Sequence, residues 1–227
     1  MNFAGVKSIT IPEGDVKSIA IGAQTVWERP NPLPYDAEVD YIQTDGDAYI
    51  DTGVLLASSA EIFATFSNLL VAKGSLLFGA RTAYNVDMFA AQWAANNLLN
   101  FNFGNRQDNA SASFDNSPQT LTVRNNVLSV GSYSVTSLTA AAFATAFPAY
   151  VLCMNNGGSP TARYAGLRCH GFRIEQGVLV RDFMPVRVGT VGYLYDRANP
   201  TGGPLGNGLY GSATSTPLVA GPDKNGG

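Results

Sequence analysis

Any chemistry in this chain starts from very few groups. It holds one histidine, His170, and two cysteines, Cys153 and Cys169. His170 and Cys169 are neighbours in Leu167-Arg168-Cys169-His170-Gly171-Phe172. A thiol–imidazole pair needs both groups on one side of the backbone, whereas neighbours on a strand point to opposite faces. His170 is therefore expected to be a structural strand histidine. Both cysteines sit in apolar, strand-like runs and are expected to be buried free thiols, with a disulfide as the lesser alternative. No Gly-x-Ser-x-Gly elbow, His-x-x-x-His pair or Cys-x-x-Cys pair occurs, so the usual hydrolase and zinc motifs are missing.

Carboxylates could still work as an acid–base pair, as they do in glycosidases. Asp45, Asp47 and Asp51 come nearest to that spacing. Asp45 and Asp47 flank Gly46, and two accounts fit them: turn-forming aspartates, or oxygen ligands to a calcium ion. No other cofactor is expected. Asp182 and Asp196 stand beside Arg181 and Arg197 and read as structural carboxylates. Sugar binding asks for less, namely an aromatic platform and side-chain amides. Trp93, Asn96 and Asn97, with Gln92 before them and Arg106, Gln107, Asp108 and Asn109 after the next strand, supply those ingredients. Trp93, Asn96, Asn97, Arg106 and Asn109 are the candidate carbohydrate contacts, and the competing account packs Trp93 into the core.

The elements that would position these groups are strands. Glu61 to Ser67 alternates Ile62, Ala64 and Phe66 with Phe63 and Thr65, and Leu98 to Phe103 alternates Asn100 and Asn102 with Leu99, Phe101 and Phe103. Leu76–Gly79 and Tyr150–Met154 read as core strands. Thr120–Arg124 and Val127–Val130 are joined by Asn125-Asn126, residues that tolerate the positive φ of a tight hairpin. Asp45-Gly46, between Val39–Gln43 and Ala48–Thr52, predicts a second hairpin. Ser137 to Phe147 alone suggests a helical turn, with Phe143 and Phe147 on one face. Many short strands between turn residues predict an all-β antiparallel sandwich.

The first thirty residues stand apart. Val6-Lys7-Ser8-Ile9-Thr10-Ile11 recurs as Val16-Lys17-Ser18-Ile19-Ala20-Ile21, and Thr25-Val26-Trp27 follows a short turn. This predicts a three-stranded meander too small to bury both of its faces. Ile9, Ile11, Ile19, Ile21 and Trp27 are its candidate docking and oligomerisation residues. Arg29-Pro30-Asn31-Pro32-Leu33-Pro34 makes a stiff linker. The expected organisation is a module at 1–30, a linker at 31–34, a main domain at 35–222 and a flexible tail at 223–227.

Charged residues make up only 14% of the 227, with a net charge of -3. An average soluble domain holds about 25%. No Lys/Arg run gives the footprint of nucleic-acid binding. No stretch approaches the roughly 18 apolar residues of a membrane span. The N-terminus lacks the basic-then-apolar build of a signal peptide, so synthesis in a cytoplasm is expected.

Two stretches carry a family resemblance. Arg173 and Glu175 precede Gln176-Gly177; Val178, Val180 and Arg181-Asp182-Phe183 lead to Pro185, then to Gly192-Tyr193-Leu194-Tyr195-Asp196 and a tail closing on Ala220-Gly221-Pro222. Together with Tyr41-Ile42-Gln43-Thr44-Asp45-Gly46-Asp47-Ala48-Tyr49-Ile50-Asp51-Thr52-Gly53, this pattern resembles the ends of laminin-G-like, concanavalin-A-type domains of phages and prophages. The N-terminal repeat resembles short modules of phage tail and fibre proteins. The resemblance implies a jelly roll in a non-enzymatic virion component of tail, fibre or head-decoration type. The implied partners are other virion proteins and a cell-surface glycan, in a homo-oligomer for which a trimer is one candidate. A lectin-like module is the alternative function and a glycoside hydrolase or lyase a remote one.

Overall fold

A computed structural model describes residues 18–21, 24–28, 33–68, 75–94, 98–113, 115–138, 141–161 and 165–224, with backbone alone for the first two stretches. The chain divides into two compact units, Met1–Leu33 and Pro34–Gly227. In the first, β1 (Ser18–Ile21) and β2 (Gln24–Glu28) form an antiparallel hairpin. Ile19 stands opposite Trp27 and Ile21 opposite Gln24, with a register shift between Ile19 and Ala20. Ile9 and Ile11, and with them the first strand of the expected meander, lie outside the described residues.

Among its described residues the second unit contains strands and turns and no helix. One sheet runs β10 (Arg106–Ser111), β9 (Leu98–Gly104), β8 (Met88–Ala94), β7 (Ser75–Arg81), β14 (Tyr150–Val151) and β5 (Ile50–Asp51). In it β15 (Met154–Asn156) also lies on β7, and β16 (Ser159–Thr161) on β15. The second sheet begins β13 (Tyr133–Thr136), β12 (Val127–Val130), β11 (Gln119–Arg124), β6 (Glu61–Asn68) and β17 (Leu167–Glu175). It continues β4 (Ile42–Gln43), β21 (Leu218–Ala220), β19 (Val191–Asp196), β18 (Leu179–Val188) and β3 (Ala37–Glu38). Within it β17 also pairs β18, and β20 (Leu209–Tyr210) pairs β19. Apart from the short parallel contact of β15 with β7, the pairings are antiparallel. The unit is an antiparallel jelly-roll sandwich.

Two-residue alternation drives this arrangement. On β6, Ile62, Ala64 and Phe66 are buried while Glu61, Phe63 and Thr65 are only partly so. Asn125 and Asn126 take φ of 49° and 59° and set Arg124 opposite Val127, the two positive φ values of the tight hairpin. Phe66, Phe172 and Phe183 of the second sheet and Phe78, Phe89 and Phe101 of the first are fully buried. Phe78 and Phe172 bridge the layers with ring centroids 5.2 Å apart. Each such side chain contributes about 1.5–3 kcal/mol of burial. Gly79 lets β7 approach β8, because a Cβ there would lie 2.3 Å from the Ala90 Cβ.

Three expectations are corrected. Asp45-Gly46 does not close a hairpin: β4 joins β17 and β21 in the second sheet, whereas β5 joins β14 in the first. Thr44 N–H donates to Leu167 O and Gly166 N–H to Thr44 O, so the strand before the turn is already committed. The segment instead carries the chain from one sheet to the other, burying Ile42, Ala48 and Ile50 completely. The described part of 137–147 is extended. Ser58 and Thr145 N–H donate to Phe143 O and Leu56 O, which takes the backbone groups a helical turn would need. Finally, Asp223 and Lys224 are not loose: Arg187 holds Asp223 at 2.6 Å, and Lys224 N–H donates to Glu38 O at 3.0 Å.

Candidate glycan-binding face

The first sheet presents amides on its outer side. Along β9, Leu99, Phe101 and Phe103 enter the core, so Asn100 and Asn102 take the opposite face. Register aligns them with neighbours of like chemistry. Gln92, Asn100 and Asn109 form one row across β8, β9 and β10, and Ala90, Asn102 and Gln107 form the next. Asn100 Nδ2 donates to Gln92 Oε1 at 3.2 Å. Asn100 and Asn102 are only 6% and 5% exposed, while Gln107 and Asn109 on the edge strand are open to solvent.

The Asn100 Oδ1 atom is buried without a hydrogen-bond partner. An acceptor left so costs about 1–3 kcal/mol. Each amide offers two donors and an acceptor. Gln107 and Asn109, with Gln92 partly open on the same uncharged strand face, suit a ligand that is itself a lattice of hydroxyls.

Of the residues singled out in sequence, Asn109 falls within this face. Arg106 lies beside it, exposed and paired to Asp108 at 2.9 Å, while Asp108 accepts from Ser137 Oγ at 3.1 Å. Trp93 is 3% exposed and packs within the core, where it borders a void of about 10 Å³ with Phe66, Leu77 and Leu99. It therefore offers no platform to a sugar, and of the two accounts the sequence left open for Trp93 the core one holds. Asn96 and Asn97 lie outside the described residues. The sequence marks Asn100 and Asn102 only as the polar half of an alternation. Their signal is the recurrence of amides at the same parity on successive strands.

The acidic candidates hold turns and strands. Asp45 Oδ1 accepts from Asp47 N–H at 3.3 Å. Among the described residues, no group of three His, Cys, Asp or Glu could hold a metal ion. Asp196 is fully buried; its Oδ1 accepts from Asp182 N–H and Ala198 N–H, each at 3.0 Å, and Oδ2 lies 3.5 Å from Arg181 Nε. Asp182 pairs with Arg197 at 2.9 Å. Both carboxylates serve the scaffold, as their arginine neighbours implied.

Both cysteines are buried free thiols, and burial pushes the Cys169 thiol up to about 12, far from nucleophilic use. His170 departs from the simple alternation. It is the extra residue of a register shift in β17 between Cys169 and Gly171, and its Nε2 lies 2.9 Å from Ser67 Oγ.

No protein-family model matches the chain, and no curated protein does. Among solved structures it is similar to the mouse laminin alpha1 chain, domains LG4-5, with a TM-score of 0.41 and 18% identity. That similarity covers 63% of this chain and 40% of the laminin chain.

Proposed function

We propose that this protein is a non-enzymatic structural component of a phage or prophage particle whose jelly roll contacts a host-surface glycan. The amide rows on β8–β10 carry the glycan part of this reading. The exposed edge amides Gln107 and Asn109 close on the ligand's hydroxyls, with Asn100 and Asn102 packed behind them. The resemblance of the closing and opening stretches to phage and prophage domains supports the virion part, as do the repeated segments of the N-terminal module. In this reading the protein is made in the host cytoplasm and assembles with other virion proteins.

A glycan array probed with the intact protein tests the ligand. Binding to at least one bacterial or mucin glycan is expected, and Asn109→Ala should weaken it about fivefold, the value of one hydrogen bond. Because Asn109 is exposed, its loss should move stability by no more than about 0.5 kcal/mol. An array without a hit, or binding indifferent to Asn109→Ala and Gln107→Ala together, removes this face from consideration.

Residues 1–30 are proposed as the module that docks to other virion proteins and holds copies together, since a small meander wants a partner surface. Light scattering should give an oligomer for the full chain and a smaller species for a chain starting at Pro34. Monomers in both cases would end the docking proposal.

A further inference from the structure

We infer that Arg81 and Tyr84, at the turn from β7 to β8, form an oxyanion subsite of the amide face. It holds an acidic residue of the glycan, with the carboxylate or phosphate on the guanidinium and the sugar ring on the phenol. The inference rests on the glycan reading of that face and names the class of sugar it takes.

Position comes from strand parity. Gly79 stands opposite Ala90, and Ala90 opposite Asn102, so Gly79 extends the second amide row onto β7. Arg81 is two residues on and takes the same outer side, one row beyond the amides. The parallel pairing of β15 sets Asn156 beside it, and Arg81 Nε donates to Asn156 Oδ1 at 2.7 Å. With Nε so held, the two terminal amino groups form the open end of the fork, and they make no hydrogen bond among the described residues. That end matches two oxygens of a carboxylate or phosphate.

Charge singles out this arginine. Among those with described side chains, the others are ion-paired to carboxylates. The exception is Arg168, which lies 4.1 Å from the centre of the Tyr41 ring and donates to Gln43. No described carboxylate lies within ion-pair distance of Arg81. Asp87, the acid of the same turn, faces the Thr82 hydroxyl at 3.5 Å. Arg81 is partly buried, and burial pushes its guanidinium below the usual arginine range, with only the Tyr84 phenol opposing. A partly dehydrated charge without a counter-ion gains most from an anion.

The ring is presented by a held turn. Asn85 and Asp87 take φ of 58° and 47°. Thr82 N–H donates to Val86 O and Val86 N–H to Ala83 O, each at 3.1 Å. Ala146 N–H and Gly157 N–H tie the turn to neighbouring segments through Thr82 Oγ1 and Arg81 O. On this support Tyr84 is 71% exposed, with the Arg81 guanidinium carbon 5.6 Å from its ring centre. A ring so open, beside an unpaired fork, offers the face that a sugar covers while its anion reaches Arg81.

The test uses the intact protein and short probes. Oligogalacturonate supplies the carboxylate and glucose phosphate the phosphate, with galacturonate methyl ester and glucose as neutral controls. The Arg81 Nε–H signal, identified by its absence from Arg81→Gln, is followed by NMR during each titration. At least one acid is expected to move it and to bind about tenfold more tightly than its control. Arg81→Gln should remove that preference, and Arg81→Lys should restore only part of it. Tyr84→Ala should weaken the acid about fivefold, whereas Tyr84→Phe should not. Tyr84 is exposed, so its variants report even where Arg81→Gln fails to fold. Acids bound no better than their controls, or binding indifferent to Tyr84→Ala, overturn the proposal. Array binding that depends on Asn109 and ignores Arg81→Gln removes this subsite alone, and acid binding that depends on Arg81 and ignores Asn109→Ala removes the amide face alone.

Discussion

Trp93→Ala is expected to lower the stability of the sandwich by about 3–5 kcal/mol, the cost of emptying a large aromatic site in a packed core. Trp93 is 3% exposed and belongs to the main hydrophobic cluster. It already borders a void of about 10 Å³, which holds scarcely one water. Removing the indole enlarges a space whose walls come from both sheets: Leu77 and Leu99 on one side, Phe66, Leu121 and Val130 on the other. Those walls belong to paired strands and cannot collapse far. Urea unfolding should show the midpoint falling with little change in slope, and Trp93→Phe should recover most of the loss. A sugar platform behaves in the opposite way, because its truncation leaves folding intact and removes binding. Unchanged stability would place the indole outside the core.

The choice between the two accounts of Trp93 shows where sequence is legible. The alternation in β6 and β9 is local, and burial follows it residue by residue. The Asn125-Asn126 turn is local as well, and it forms. The direction of Trp93 is not local. It depends on the register of β8 against both β7 and β9, which places the indole inside and Gln92 outside. Asp45-Gly46 has the composition of a hairpin turn, yet Ile42 and Ile50 find better partners more than a hundred residues away on β17 and β14, in opposite sheets. Long-range pairing overrides a dipeptide preference worth a fraction of a kcal/mol. The amide face had a sequence signal, amides of one parity in Leu98–Phe103, but their alignment with Gln92, Gln107 and Asn109 needs three strands in register. A bulge at His170 carries no local mark, because the partner strand determines which residue is left unpaired.

Asp196→Ala should be as damaging as the tryptophan change, by about 3–5 kcal/mol, for an electrostatic reason: removing one partner strands a buried charge. Asp196 is fully buried. Its Oδ1 receives two backbone N–H groups, those of Asp182 and Ala198, so it ties β18 to the chain leaving β19. Its Oδ2 faces Arg181 Nε at 3.5 Å. The Arg181 side chain is 18% exposed and also donates to the carbonyls of Thr52 and Val180. Alanine deletes both acceptors and leaves that guanidinium without its counter-charge. Asp196→Asn keeps an oxygen for the two N–H donors and loses only the charge, so its cost should be about half. Arg181→Met in the Asp196→Asn background should recover part of that loss, since it removes the largely buried guanidinium left without its counter-charge. A double-mutant cycle read by urea unfolding gives the coupling directly. A catalytic carboxylate predicts a different pattern, with activity lost and stability unchanged or raised by relief of a strained site. Strong destabilisation by alanine, a milder effect of asparagine and partial rescue by Arg181→Met would identify Arg181 and Asp196 as the clamp that holds the last strands of the jelly roll together.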